Sequence, residues 1–131
     1  MCIRDRRVFG YASNGVADEL ALDMLARVVE DLPVTITITS ARMSASEMIA
    51  MVREQRMSVV CFSDLPPSTS SKTRYYVKRL HTALPAAHTV VGRWAGASTD
   101  DGPVQGLREA GAALVASTLT EVRAYLDGLP A

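Results

Sequence analysis

The chain has 131 residues, enough for one domain with one core and too few for two. Its 48% hydrophobic and 21% charged residues are those of a folded globular protein and exclude a disordered chain. The 14 Lys and Arg balance 14 Asp and Glu, so no net charge draws it to nucleic acid, and no recognition-helix or RNA-binding signature stands in the sequence.

The chain opens on Met1-Cys2-Ile3-Arg4-Asp5-Arg6, which resembles the translation of a transposase sequencing adapter. Residues 1–6 are therefore expected to be an artefact, and residues 7–131 the domain. The basic, polar start contains no apolar signal region, and no apolar run approaches the ~18–20 residues of a membrane span. Arg7–Tyr11 then reads as a short strand. Ser13, Asn14 and Gly15 form a turn and helix cap.

From Asp18 to Asp31 the spacing of Ala21, Met24, Leu25, Val28 and Leu32 predicts a helix. Its outer face would carry the pairs Asp23–Arg27 and Arg27–Asp31, and Pro33 ends it. Val34–Thr39 alternates strictly between Val or Ile and Thr and predicts an edge strand with one buried face. Ser44-Ala45-Ser46-Glu47 is a capping box opening a second helix with Ala45, Met48, Ile49 and Val52 inward.

Ser58–Phe62 contains the continuous apolar run Val59–Phe62, which suits a central parallel strand buried on both faces. Ser63–Ser71 is a polar loop containing Pro66 and Pro67. A third helix is expected over Lys72–Leu84, with Tyr76, Val77, Leu80 and Leu84 inward, and a fourth strand over His88–Val91. Gly92–Gly102 is a Gly-rich loop holding the only tryptophan, Trp94. A short helix over Val104–Ala110 and a strand over Ala113–Ala116 follow. Thr118-Leu119-Thr120-Glu121 caps the last helix, which turns Leu119, Val122, Leu126 and Leu129 inward. Strict β/α alternation implies a three-layer α/β/α domain with a five-stranded parallel sheet, and right-handed crossovers favour the flavodoxin-like order 2-1-3-4-5.

Ligands of such sheets bind beyond the carboxyl ends of the strands. Four loops therefore compete for function: residues 12–17, 40–43, 63–71 and 92–102. Amides of Ser13, Asn14 and Gly15 either receive an anion or only cap a helix. The hydroxyl of Ser63 could enter the crevice, or the Pro-rich segment after it could be a rigid turn. Trp94 either stacks on a ligand or covers the end of the core. Lys72, Arg74, Lys78 and Arg79 form the only basic concentration, suited to an anionic partner, a lipid surface or plain solvation. His81 and His88, the only histidines, lie outside these loops, and Cys2 and Cys61 make no metal or disulfide framework. No nucleophile–base arrangement appears, so catalysis is not expected and no metal is called for.

On these residues the chain resembles the cobalamin-binding domain. That family carries Asp-x-His-x-x-Gly after strand one, Ser-x-Leu after strand three and Gly-Gly after strand four. Ser63-Asp64-Leu65 matches Ser-x-Leu, and Gly92-Arg93 keeps one glycine of the pair. The resemblance implies Ser63 beside a cofactor's lower base, with Leu65 of the same motif a cofactor-binding candidate and Arg93 crowding the path of a nucleotide tail. The cobalt-ligating histidine has no counterpart between Ser13 and Glu19. No cofactor is therefore expected, and base-on cobalamin binding is the alternative. The chain also resembles, more closely, the C-terminal cytosolic extension of permeases of the autoinducer-2 exporter family. Ala17-Asp18-Glu19-Leu20-Ala21, Val59-Val60-Cys61-Phe62-Ser63 with Leu65-Pro66-Pro67, Arg74 to Leu80, and Val90-Val91-Gly92-Arg93-Trp94 carry that likeness. It implies a regulatory module, soluble in itself, on the cytoplasmic side of the inner membrane, partnered by an upstream membrane domain and binding a small molecule or partner through Ser13, Asn14, Gly15, Ser63, Leu65, Gly92 and Trp94. A response-regulator receiver shares the fold. Asp64-Leu65-Pro66-Pro67 loosely matches its phosphoacceptor strand end, but the acidic pair after strand one is missing and Ala116-Ser117 stand where a lysine would end strand five.

Overall fold

A computed structural model describes residues 6–13, 15–39, 43–64, 71–94 and 101–129, with only the backbone helix described at 101–103. Two of the expected site residues, Asn14 and Leu65, lie outside the described residues, as do Pro66, Pro67 and residues 40–42 and 95–100 of the neighbouring loops. Five strands alternate with five helices: β1 (Arg6–Ala12), α1 (Val16–Val28), β2 (Val34–Thr39), α2 (Ala45–Glu54), β3 (Val59–Ser63), α3 (Ser71–Ala83), β4 (His88–Gly92), α4 (Asp101–Ala110), β5 (Leu114–Ala116) and α5 (Leu119–Gly128). The sheet runs β2-β1-β3-β4-β5 and every pairing is parallel. The first strand begins at Arg6, whose amide donates to the carbonyl of Pro33 at 2.9 Å.

The two-residue period of a strand sends neighbouring side chains to opposite faces. β3 shows this cleanly. Val60 and Phe62 enter one core with Phe9, Met48, Val77, Leu80, Val91 and Leu107, while Val59 and Cys61 enter the other with Val8, Leu22, Leu25, Val90, Val122 and Leu126. The first core lies under α2, α3 and α4, the second under α1 and α5. All five residues of β3 are buried, as a strand covered on both faces requires. β2 sits at the sheet edge, with Val34, Ile36 and Ile38 half-buried and Thr35 and Thr37 exposed.

Both capping boxes form. Ser44 and Glu47 exchange backbone and side-chain hydrogen bonds at the start of α2, as Thr118 and Glu121 do at α5. The expected inward stripe of α2 is buried at all four positions. The first helix departs from expectation in part: Leu25 is buried and Val28 packs against the second core as expected, but Met24 does not turn inward. Its buried face is Asp18, Leu22 and Leu25, with Val29 just beyond its end, and Met24 is 58% exposed. Leu22 fills the space over Gly10 of β1, which rotates the Met24 row outward. The helix also stops at Val28, so Asp31 lies beyond it and forms a two-pronged ion pair with Arg123 of α5 at 2.5 and 2.9 Å. That contact takes the place of the expected Arg27–Asp31 pair on one helix. Among the described residues no helix is long and apolar enough to cross a membrane.

Candidate functional site

The strand ends converge on one rim because the ladder continues past the strands. The amide of Ser13 donates to the carbonyl of Ser63 at 3.0 Å, that of Asp64 to Gly92 at 2.9 Å, and that of Arg93 to Ala116 at 2.7 Å. Ser13, Ser63, Gly92 and Trp94 are thereby brought to one rim. Gly15 stands apart as an exposed N-cap of α1, with no side-chain cap bond.

These groups engage one another. The indole N–H of Trp94 donates to the hydroxyl of Ser63 at 2.7 Å, and Ser63 is fully buried. The ring lies directly above Gly92. A Cβ there would stand 2.0 Å from Trp94 Cζ2, far inside van der Waals contact. Trp94 packs against the core beneath α1 and α5 and remains only half-buried, so it covers the end of that core. Thr73 of α3 donates to the Ser13 hydroxyl at 2.8 Å, in a buried bond. Lys72 donates to the Ser13 carbonyl at 3.1 Å, with its ammonium over the rings of Tyr11 and Tyr76 at 5.6 and 5.8 Å. Arg93 does not project into the path over Gly92. It is buried, 3.6 Å from the carboxylate of Asp64, and the two side chains are 9% and 0% exposed.

Lys72, Thr73 and the Arg93–Asp64 pair were not singled out as parts of the rim from the sequence. The available signal was Asp64 itself, a carboxylate two residues past the apolar run Val59–Phe62 of a strand buried along its whole length.

The chemistry of the rim is that of hydroxyls, an indole, the Lys72 ammonium and the Arg93–Asp64 ion pair. Neither histidine reaches it. His88 begins β4 at the opposite end of the sheet, sharing a 3.0 Å hydrogen bond with Tyr125, and His81 lies against Gly111. Burial pushes the Cys61 thiol up to about 12, which holds it protonated and inert. Among the described residues no group of three His, Cys, Asp or Glu could hold a metal.

No protein-family model matches the sequence, and no curated protein matches it. Solved structures do. A CheY-like protein (tadZ) from Pseudomonas aeruginosa PAO1 is similar over 98% of both chains, with a TM-score of 0.70 at 20% identity. A novel cobalamin-binding protein from Desulfitobacterium hafniense DCB-2 aligns with 94% of this chain, TM-score 0.71 at 10% identity, and this chain spans 57% of its length. A CheY-like response regulator receiver domain protein from Methanospirillum hungatei JF-1 covers 94% of this chain and 91% of its own, TM-score 0.66 at 13% identity. The fold is flavodoxin-like. At these identities the likeness shows architecture alone, and the flavodoxin-like frame serves receivers and cobalamin binders equally.

Proposed function

We propose that this flavodoxin-like domain is a non-catalytic regulatory or binding module, related in form to cobalamin-binding domains but working without the cofactor. The observation that carries the reading is the Trp94–Ser63 bond across Gly92. A cobalamin nucleotide tail would need the space the indole fills and the hydroxyl it holds. That contact, and a rim that no histidine reaches among the described residues, support a module working without the cofactor. The receiver alternative would need Asp64 to accept a phosphoryl group, but its carboxylate is buried beside Arg93.

Titration with hydroxocobalamin tests this. The expected result is an unchanged visible spectrum and no cofactor carried through gel filtration. Retained cofactor would establish the base-on carrier instead, and labelling by acetyl phosphate would establish a receiver. The likeness to permease extensions supports placing the module on the cytoplasmic side of the inner membrane, with its own upstream membrane domain as partner. Several ~20-residue apolar spans in the reading frame ahead of Arg7 are the expected observation. A methyltransferase or mutase domain there would overturn it.

A further inference from the structure

A second surface lies away from the strand-end rim. α3 carries Lys72, Arg74, Lys78 and Arg79 and not one Asp or Glu. The chain as a whole is neutral, so this is charge set apart on one helix. Two of the four cations are already engaged. Lys72 is bound to Ser13, and Arg79 lies over the ring of Tyr75, donating to its hydroxyl at 2.7 Å and to Ser46 at 3.3 Å.

Arg74 and Lys78 remain. They stand one helical turn apart on one side of α3. Among the described residues neither side chain has a hydrogen bond or ion pair. Both line a groove of about 520 Å³ between α3 and α4. The α4 wall is built from small residues, Gly106 and Ala110, and a Cβ on Gly106 would come within 3.0 Å of the Arg74 guanidinium. The acid on that wall, Glu109, accepts a hydrogen bond from Gln105 at 3.2 Å. Tyr75, 53% exposed, adds an aromatic edge at the groove.

We propose that this groove binds an acidic segment of a protein partner. Two cations a turn apart, without a partner among the described residues, call for carboxylates at matching spacing, and the adjacent Tyr75 offers apolar contact to residues between them. The cations line a concave channel rather than a flat face. That arrangement suits a chain lying in it better than the broad headgroup plane of a membrane. The inference stands whatever the strand-end rim binds.

The test is fluorescence anisotropy of a short labelled peptide alternating Glu and Leu, its Gln counterpart, and vesicles containing phosphatidylglycerol. The Glu peptide is expected to bind saturably and the Gln peptide not. Arg74→Glu and Lys78→Glu should each weaken binding about tenfold or more, while Arg53→Glu, on α2 and outside the residues lining this groove, leaves it unchanged. Amide shifts on the unmodified chain should fall on residues 71–79 and 104–110, a readout that needs no variant to fold. Absence of saturable binding, indifference to Lys78→Glu, shifts elsewhere, or binding to vesicles without binding to peptide would each overturn the proposal.

Discussion

The indole of Trp94 ties the fourth strand end to the third through one hydrogen bond, and the absence of a side chain at Gly92 permits it. Removing the acceptor by Ser63→Ala costs about 1 kcal/mol, the ordinary net value of such a bond. It also releases the ring toward water. Because Trp94 is the only tryptophan, intrinsic fluorescence reports this without labels, and the emission of Ser63→Ala should move to the red. Gly92→Ala should do the same more strongly, since its Cβ would occupy the ring's place, while far-UV circular dichroism stays native. Emission spectra superimposable on the parent would mean that the indole does not rest on Gly92 in solution. The tryptophan was legible in the sequence as a crevice residue. Its partner 31 positions earlier was legible only as a strand-end serine, because the contact depends on two neighbouring strands ending in register.

Helix ends show where local sequence suffices. Ser44 with Glu47 and Thr118 with Glu121 satisfy amides that a helix start leaves bare, and both boxes are readable from four residues. Hydrogen bonds from Ser44 hold the Glu47 carboxyl below its ordinary pKa, and bonds from Ser117 and Thr118 do the same for Glu121. A depressed folded value gives stability that is fully present above the ordinary glutamate pKa of about 4.3 and is lost as pH falls through the lowered values. Ser44→Ala and Thr118→Ala should each cost about 1 kcal/mol at neutral pH. Urea denaturation repeated at falling pH should show the gap between parent and variant narrowing below that point, and a constant gap would deny the carboxylates their part. At its other end α4 stops in a Schellman turn, with Gly111 at φ 122° and the amides of Gly111 and Ala112 returning to Arg108 and Leu107. Gly111→Ala should cost about 1 kcal/mol or more, because the new Cβ meets a left-handed backbone and stands 2.6 Å from the His81 ring. A melting temperature equal to the parent's would contradict this.

Across the molecule, the hydrophobic periods in the sequence are enough to assign the five β/α units, and the handedness of crossovers is enough to order the sheet. What they leave open is helix phase where two apolar rows share one helix. α2 has a single apolar row, so its buried face follows from the spacing. α1 has two, Leu20 with Met24 and Leu22 with Leu25, and only the sheet beneath decides that the second turns inward. The same layering predicts unequal stability. β3 is central and wholly buried, whereas β5 is a three-residue edge strand with one buried residue. Native-state hydrogen exchange should therefore find the slowest amides in β3 and its neighbours β1 and β4, opening only with the whole domain, and faster exchange in β5. Phe62 lies at the centre of that argument, fully buried among Tyr11, Tyr76 and the first core. Phe62→Ala should cost about 3–5 kcal/mol through lost burial and a residual cavity. That is a large share of the roughly 5–15 kcal/mol that holds a domain together, so the loss should appear in every amide that exchanges by global unfolding and leave the β5 amides nearly unmoved. If β5 exchange accelerated as much as β3, the sheet would open as one unit, and the division into a buried centre and a loose edge would fail.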